Sequence, residues 1–387
     1  MDIKVNRQDL QKAVGITRKA LSKIIIQQER GHLLFSVSDG KMRVTGTNND
    51  LKALCIIGAE CAPGTHASFT CDPKILSNVL TKMDLADVTL DYDENDQSIK
   101  VYTNEGGSSF AKLQSFPPKM MLTFEPNANR TSVAVSRQML SSALKYAVRY
   151  LSPLKDDGRN FDIVTISKGV MYAANGSNMM GFMVSGAFKP LDNMRLRKVI
   201  IPIMSSVLDS VEDLTVGVIE SGGDTGIETA GGVYFSALKP AMEPPSVPTQ
   251  HVKSEGAHTI VDRALFIKYL DRLVASHTGT PDVIGVQMTL GGAGDSSYID
   301  LSLLSSKSIE RVPCARADDR SSSEITHMVE YKILKSILSS FEHGEKIRLH
   351  INDDGGKFIK AYDKGEVDKE AFIQVGIGGY AKRASGG

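Results

Sequence analysis

One short pattern occurs three times in this chain and constrains what it can fold into. Val5-Asn6-Arg7 leads into Leu10, Val135-Ser136-Arg137 into Leu140, and Val261-Asp262-Arg263 into Phe266. The copies are spaced by close to one third of the 387 residues. Each reads as a strand residue, then Asn, Ser or Asp, then Arg, then apolar residues at helical spacing. Those three polar types cap helix N-termini, because a short side-chain oxygen accepts an orphan backbone N–H. A strand, cap and helix repeated at so long a period is a repeat of domains. We therefore expect an α+β chain of three domains, residues 1–126, 127–250 and 251–387, each with two helices packed on antiparallel sheets.

Each third follows one order. After the capped helix comes a hairpin: residues 32–37, a Ser38-Asp39-Gly40 turn and Met42-Arg43-Val44-Thr45 in the first copy. The second copy has Ile163-Val164-Thr165-Ile166, Ser167-Lys168-Gly169 and Met171-Tyr172-Ala173. A polar-Gly pair between alternating runs is a hairpin signal. The third copy has a longer turn through Gly291-Gly292-Ala293-Gly294-Asp295. Second helices are expected from Asp72-Pro73 to about Met83, and near Pro202 and Tyr331. Pro73 and Pro202 suit a first helical turn, where no N–H is needed. Strand pairs follow, closing with Phe110–Leu113, Phe235–Leu238 and Phe372–Val375. Pro-rich polar stretches at 124–129 and 244–256 mark the boundaries.

Composition excludes several classes. With 45 Lys+Arg against 45 Asp+Glu the net charge is zero, so bulk charge advertises no partner and the placement of charge matters instead. The N-terminus lacks an apolar run after a basic start, and no segment approaches the roughly 18 apolar residues of a membrane span. The expected location is cytoplasmic. Cys55, Cys61, Cys71 and Cys314 include no C-x-x-C pair and read as reduced structural thiols. The Gly-rich stretches at 221–226 and 291–295 precede neither a Lys-Ser/Thr pair nor a helix, so they read as turns. Asp91, Asp93, Glu94 and Asp96 lack the spacing of a calcium loop. The histidines are scattered. We expect no enzyme, no metal and no cofactor.

The charges gather on the first helices, taken as 7–23, 137–151 and 263–277. Their cations are Arg7, Lys12, Arg18, Lys19, Lys23, Arg137, Lys145, Arg149, Arg263, Lys268 and Arg272, and their acids only Asp9 and Asp271. Helical spacing separates Leu10, Val14 and Leu21 from Lys12, Lys19 and Lys23. A single basic helix is usually a plain solvated face. The same bias in three equivalent helices favours a surface that meets phosphates without reading bases. The first of the three helices has no aromatic residue among its cations, so no aromatic pattern repeats with the basic one, which argues against a single-strand stacking platform.

Taken together, the three-copy layout resembles the bacterial DNA polymerase III β subunit, the sliding clamp. The resemblance spans the whole chain. It rests on Ile3–Leu10, on Leu51 after Thr45–Asp50, on Phe110 to Phe116-Pro117, on Arg159, and on Ala173-Ala174-Asn175-Gly176. It implies a head-to-tail homodimeric ring with helices lining a hole for duplex DNA and sheets outside. Lys74, Arg159, Lys198 and Lys332 then join the DNA-facing set. It also implies a groove between the second and third domains where the replicative polymerase and clamp loader dock a short peptide. The matching positions are Ala174, Gly176, Ser177, Asn178, Met179, Pro245, Val247, Val283, Met328, Tyr331, Phe372, Ile373, Gln374, Val375 and Gly376. The chain departs from the family at several points. Asn175-Gly176-Ser177-Asn178-Met179 stands where Asp-Gly-His-Arg-Leu is usual, the C-terminus runs on to Gly387, and the usual acidic balance is missing. Those departures fit a divergent replicon such as a phage or plasmid. The competing reading is a ring-shaped scaffold recruiting repair or recombination proteins.

Overall fold

The computed structural model describes residues 1–21, 31–48, 50–103, 109–118, 124–151, 162–175, 179–191, 194–221, 223–240, 257–276, 284–292, 296–303, 308–316, 325–341, 345–351, 358–367 and 370–379. Among them the chain writes one motif six times: a strand, a helix, then three strands. The first motif is β1 (Asp2–Asn6), α1 (Arg7–Thr17), β2 (Leu33–Ser38), β3 (Lys41–Thr47) and β4 (Leu51–Gly58). The second is β5 (Ala67–Cys71), α2 (Pro73–Thr81), β6 (Asp87–Asp93), β7 (Ser98–Tyr102) and β8 (Ala111–Gln114). The third is β9 (Thr131–Ser136), α3 (Arg137–Val148), β10 (Ile163–Ser167), β11 (Val170–Asn175) and β12 (Met179–Ser185). The fourth is β13 (Met194–Arg197), α4 (Ile201–Leu208), β14 (Thr215–Ser221), β15 (Asp224–Glu228) and β16 (Val233–Leu238). The fifth is β17 (Ala257–Asp262), α5 (Arg263–Ala275), β18 (Gly285–Gly291), β19 (Tyr298–Leu303) and β20 (Ile309–Arg316). The sixth is β21 (Ile325–Glu330), α6 (Tyr331–Ser340), β22 (Lys346–Ile351), β23 (Phe358–Val367) and β24 (Glu370–Gly379).

The strand ahead of each helix joins the three strands of the neighbouring motif, giving blocks such as β5-β2-β3-β4 and β1-β6-β7-β8. Among the described residues β17 alone also pairs with a strand of its own motif, at Thr259–Val261 against Cys314–Arg316 of β20. Paired motifs are thereby laced together. The blocks then fuse edge to edge. β4 pairs antiparallel with β16, making an eight-stranded sheet, and β12 pairs with β24 within a twelve-stranded sheet. We call these two junctions the first and second seams. The described fold has two compact units, residues 1–137 with 199–239 and residues 138–198 with 240–387, and each seam lies within one of them. These units cut through the middle third of the chain, because each seam carries one half of that third into a neighbour's sheet.

Local chemistry explains the element ends. Asn6 Oδ1 accepts from the backbone N–H of Gln8 at 3.0 Å and Asp9 at 3.2 Å, and Asp262 Oδ1 from that of Leu265 at 2.8 Å. Asp72 Oδ1 accepts from Lys74 and Ile75, with Pro73 opening the helix. The hairpin turns put both central residues at positive φ: Asp39 (52°) with Gly40 (70°), and Lys168 (49°) with Gly169 (92°). That is the turn whose twist matches flanking strands, and its second position favours glycine. The first helix is shorter than the expected 7–23. The hydroxyl of Thr17 donates back to the Ala13 carbonyl at 2.7 Å, and Arg18–Ala20 tighten into a 3-10 turn. Likewise α3 and α5 stop before residues 151 and 277.

In the first unit α1 buries Leu10, Ala13, Val14, Ile16 and Thr17 against β3 and β4. In the second unit Tyr150 lies on the backbone of Gly181, where any Cβ would collide with its ring. The Tyr150 hydroxyl meets Ser340 Oγ at 2.5 Å and accepts from that of Tyr146 at 3.2 Å. Ile333 and Ile337 of α6 cover Gly378 and Gly376 of β24. Among the described residues no helix is long and apolar enough to cross a membrane.

Candidate functional site

The helix cations fall into two groups. The first ties the fold together. Arg7, at the start of α1, donates from Nε to the Leu85 carbonyl at 2.9 Å and from Nη1 to that of Leu80 at 3.3 Å, beyond and at the end of α2. Arg137 does the same at the end of α4, reaching the carbonyls of Leu208 and Val211. The backbone N–H groups repeat the tie in all three copies: Arg7 to Ala86, Arg137 to Leu214 and Arg263 to Glu345. A cation beside the last carbonyls of a helix satisfies orphan acceptors and opposes the helix dipole. Across the seams the device recurs. Lys19 donates to the Ser206 carbonyl at 2.7 Å and Ser210 Oγ at 2.9 Å. Arg149 donates to the carbonyls of Ser339 and Ser340 at 2.9 and 2.8 Å. Burial, reinforced by Arg18, pulls the Lys19 ammonium below its usual pKa.

The second group is exposed: Arg18, Lys74, Lys145, Lys268, Arg272 and Lys332. Arg272 grips Glu310 through Nε at 2.6 Å and stacks 4.7 Å over Tyr269. Lys12 is half-buried and pairs with Glu212 at 2.7 Å, holding that carboxyl below its usual pKa. Lys198 is half-buried. Lys23 and Arg159 lie outside the described residues. Counting charge along the first helices alone missed Glu212 and Glu310, which other elements bring to them.

Of the groove candidates, the structure brings Ala174, Ile373 and Val375 onto one sheet face. There they join Tyr172, Met180, Phe182, Tyr362 and Ile377 in an apolar cluster over the second seam. Alternation along β24 turns Gln374 and Gly376 to the other face, where Gly376 lies against Tyr150 and Ile337. Met179 is buried beside them in β12. Met328 sits in β21, opposite Gln287. Tyr331 opens α6, and its hydroxyl donates to Asp271 of α5 at 2.8 Å. Phe372 is in β24 opposite Ser185. Gly176, Ser177, Asn178, Pro245, Val247 and Val283 lie outside the described residues.

The first seam carries a matching apolar cluster. Leu54, Ile219 and Tyr234 form it, with Ile56 and Phe124 packed on top. Stepping along the registers from each cap residue puts Phe110, Tyr234 and Val375 at one equivalent position. Stepping from each hairpin turn does the same for Leu54, Met180 and Ile309. Two members of these triplets have no seam to enter. Phe110 is 48% exposed beside β8, and Ile309 is 64% exposed on β20. Among the described residues β8 pairs only with β7, and Ile309–Val312 of β20 only with β19. The sequence signal for this was weak, since an isolated exposed apolar residue is ordinary.

Cys55 and Cys71 are buried, and burial pushes the Cys55 thiol up to about 12. Among the described residues no group of His, Cys, Asp and Glu could hold a metal ion.

No protein-family model and no curated protein matches the chain. Solved structures do. The DNA polymerase III β subunit of Thermotoga maritima superposes with a TM-score of 0.73 at 15% identity, covering 99% of this chain and 100% of that one. The Bacillus subtilis DNA polymerase sliding clamp gives 0.75 at 14% identity over 99% of both chains. The β subunit from Pseudomonas aeruginosa gives 0.74 at 13% identity, covering 96% of this chain and 98% of that one. At such identities the likeness establishes architecture: along its whole length this chain has the fold of bacterial DNA polymerase III β subunits.

Proposed function

We propose that the chain is a DNA sliding clamp, a ring that encircles duplex DNA and tethers the replicative polymerase. The observation that carries this reading is the fold likeness to β subunits over both full lengths. In this proposal residues 1–126, 127–250 and 251–387 are three clamp domains of two motifs each. The two seams join consecutive domains. A third seam, β8 of one protomer against β20 of the next, closes the ring head to tail. Phe110 and Ile309 meet there, as Tyr234 meets Leu54 in the first seam. Such a heterologous contact avoids filaments because its rotation closes.

The exposed cations Arg18, Lys74, Lys145, Lys268, Arg272 and Lys332 face the phosphates and attract them without reading sequence. Retention is topological, so affinity for DNA can stay low while the protein stays on. Tethering raises the local concentration of the polymerase at its template, the physical source of processivity. The apolar face bearing Ala174, Ile373 and Val375 receives the docking peptides of polymerase and loader. The role is a binding role, with no bond made or broken by the clamp.

The test is primer extension on a long single-stranded template with the replicon's own polymerase and loader. The proposal expects product length per binding event to rise when the protein is added. No gain in processivity, with capture of repair or recombination proteins instead, would replace it with the scaffold reading.

A further inference from the structure

The first seam holds a ligand-like segment of the chain itself. Alternation places Cys55 and Val233 on the side of α1, where they line a cavity with Ala13 and Ile16, and places Leu54, Ile56 and Tyr234 on the opposite face. That opposite face is where Phe124 lies, its ring 5.1 Å from that of Tyr234. Lys52 stands 5.6 Å from the Phe124 ring, and Arg43 Nη2 pairs with Glu125 at 2.5 Å. Arg130 stacks 5.9 Å over the far side of the slot on Tyr234. The slot is thus an apolar floor with Arg43, Lys52 and Arg130 at its rim. Lys52 is also paired with Asp224 at 2.6 Å and Arg130 with Glu228 at 2.7 Å, so it is Arg43 that holds the Glu125 carboxylate. It receives an aromatic side chain followed at once by a carboxylate. Phe124 is only half-buried, packed on the outside of the Leu54–Ile219–Tyr234 cluster, and the Glu125 side chain is 73% exposed, so the segment lies at the surface of the seam.

We propose that the first seam is a docking site for peptides carrying an aromatic residue followed by an acid, kept closed in the free chain by Phe124 and Glu125. A partner segment of that chemistry takes the slot when the chain's own segment lifts. The tethered segment competes at a high effective concentration, so the site is latent and opens only to a partner that outcompetes it. This goes beyond the clamp reading. Its test uses neither DNA nor polymerase, so the two stand or fall separately.

The probe is a fluorescein-labelled peptide with the sequence of residues 121–129, titrated against the full chain and followed by anisotropy. Phe124→Ala should bind it at least ~tenfold more tightly than the unsubstituted chain, since removing a cis competitor restores the fraction of open sites. Adding Tyr234→Ala should abolish that gain, and a peptide with Ala in place of its Phe should show none. A gain absent in Phe124→Ala with an unchanged melting curve overturns the proposal. So does a gain that survives Tyr234→Ala. Should Phe124→Ala not fold, Phe124→Leu keeps an apolar side chain in the slot. It should give a smaller gain of the same kind, and no gain there overturns the proposal equally.

Discussion

Truncating Ile309 tests the proposed closure of a ring. Ile309 is 64% exposed and Phe110 48% exposed in the single chain, while their register equivalents in the two internal seams are buried. Bringing the pair into a third seam would remove roughly 200 Å² of apolar surface from water, worth about 5 kcal/mol at about 25 cal/mol per Å². Ile309→Ala forfeits the larger part of the isoleucine's share, about 2 kcal/mol per seam. A two-protomer ring has two such seams, so its dissociation constant should weaken by about 4 kcal/mol, roughly a thousandfold. Ile309 is 64% exposed in the free chain, so the monomer's melting curve should hardly move. Sedimentation equilibrium from nanomolar to micromolar concentration reads the effect. Leu214→Ala is the control, because Leu214 is 77% exposed yet lies on neither free edge. An unchanged dissociation constant for Ile309→Ala, or an equal loss for Leu214→Ala, would refute the edge-to-edge argument.

Three further outcomes are expected. Reversing charge at Lys145 and Lys268 together should weaken binding to duplex with open ends and flatten the dependence of that affinity on salt, with circular dichroism unchanged; wild-type salt dependence would remove both from the phosphate-facing surface. Arg137→Ala leaves the Leu208 and Val211 carbonyls without their cation and should cost about 1–3 kcal/mol by denaturant melting. A cost near zero there would show the tie to be ornamental. In the folded chain an alkylating reagent at pH 9 should modify Cys61 ahead of Cys55 and Cys71, because burial keeps the latter two thiols protonated. The folded Cys55 thiol sits above its unfolded value, so its contribution to stability is whole below about pH 8.5 and declines as the pH rises towards 12. Equal labelling of all cysteines without unfolding would contradict the packing.

Much of the local structure was legible because it is decided by local chemistry. Asn6, Asp72 and Asp262 cap helices, and Asp39-Gly40 and Lys168-Gly169 turn hairpins, each through contacts made within a few residues. The lacing of motifs and the two seams were not legible, because edge-to-edge pairing depends on which edges are left open. The charge count did not show the ties made by Arg7 and Arg137 for the same reason: the carbonyls they satisfy lie more than seventy residues away. The resemblance assigned consecutive residues of β24 to the expected peptide groove. A strand's period of two already separates Ile373 and Val375 from Gln374 and Gly376, and reading that period would have halved the assignment. Tyr331, assigned to the groove as well, spends its hydroxyl on Asp271.

The central claim is that DNA is held by enclosure. At micromolar concentration a ring can thread onto linear duplex over a free end, with no loader. The decisive measurement is retention in high salt on linear DNA whose two ends are blocked with bound protein after threading, against the same DNA with its ends left open. The account predicts that the protein stays on blocked DNA and is lost from open DNA. Equal loss from both, or salt-resistant binding to both, would contradict it.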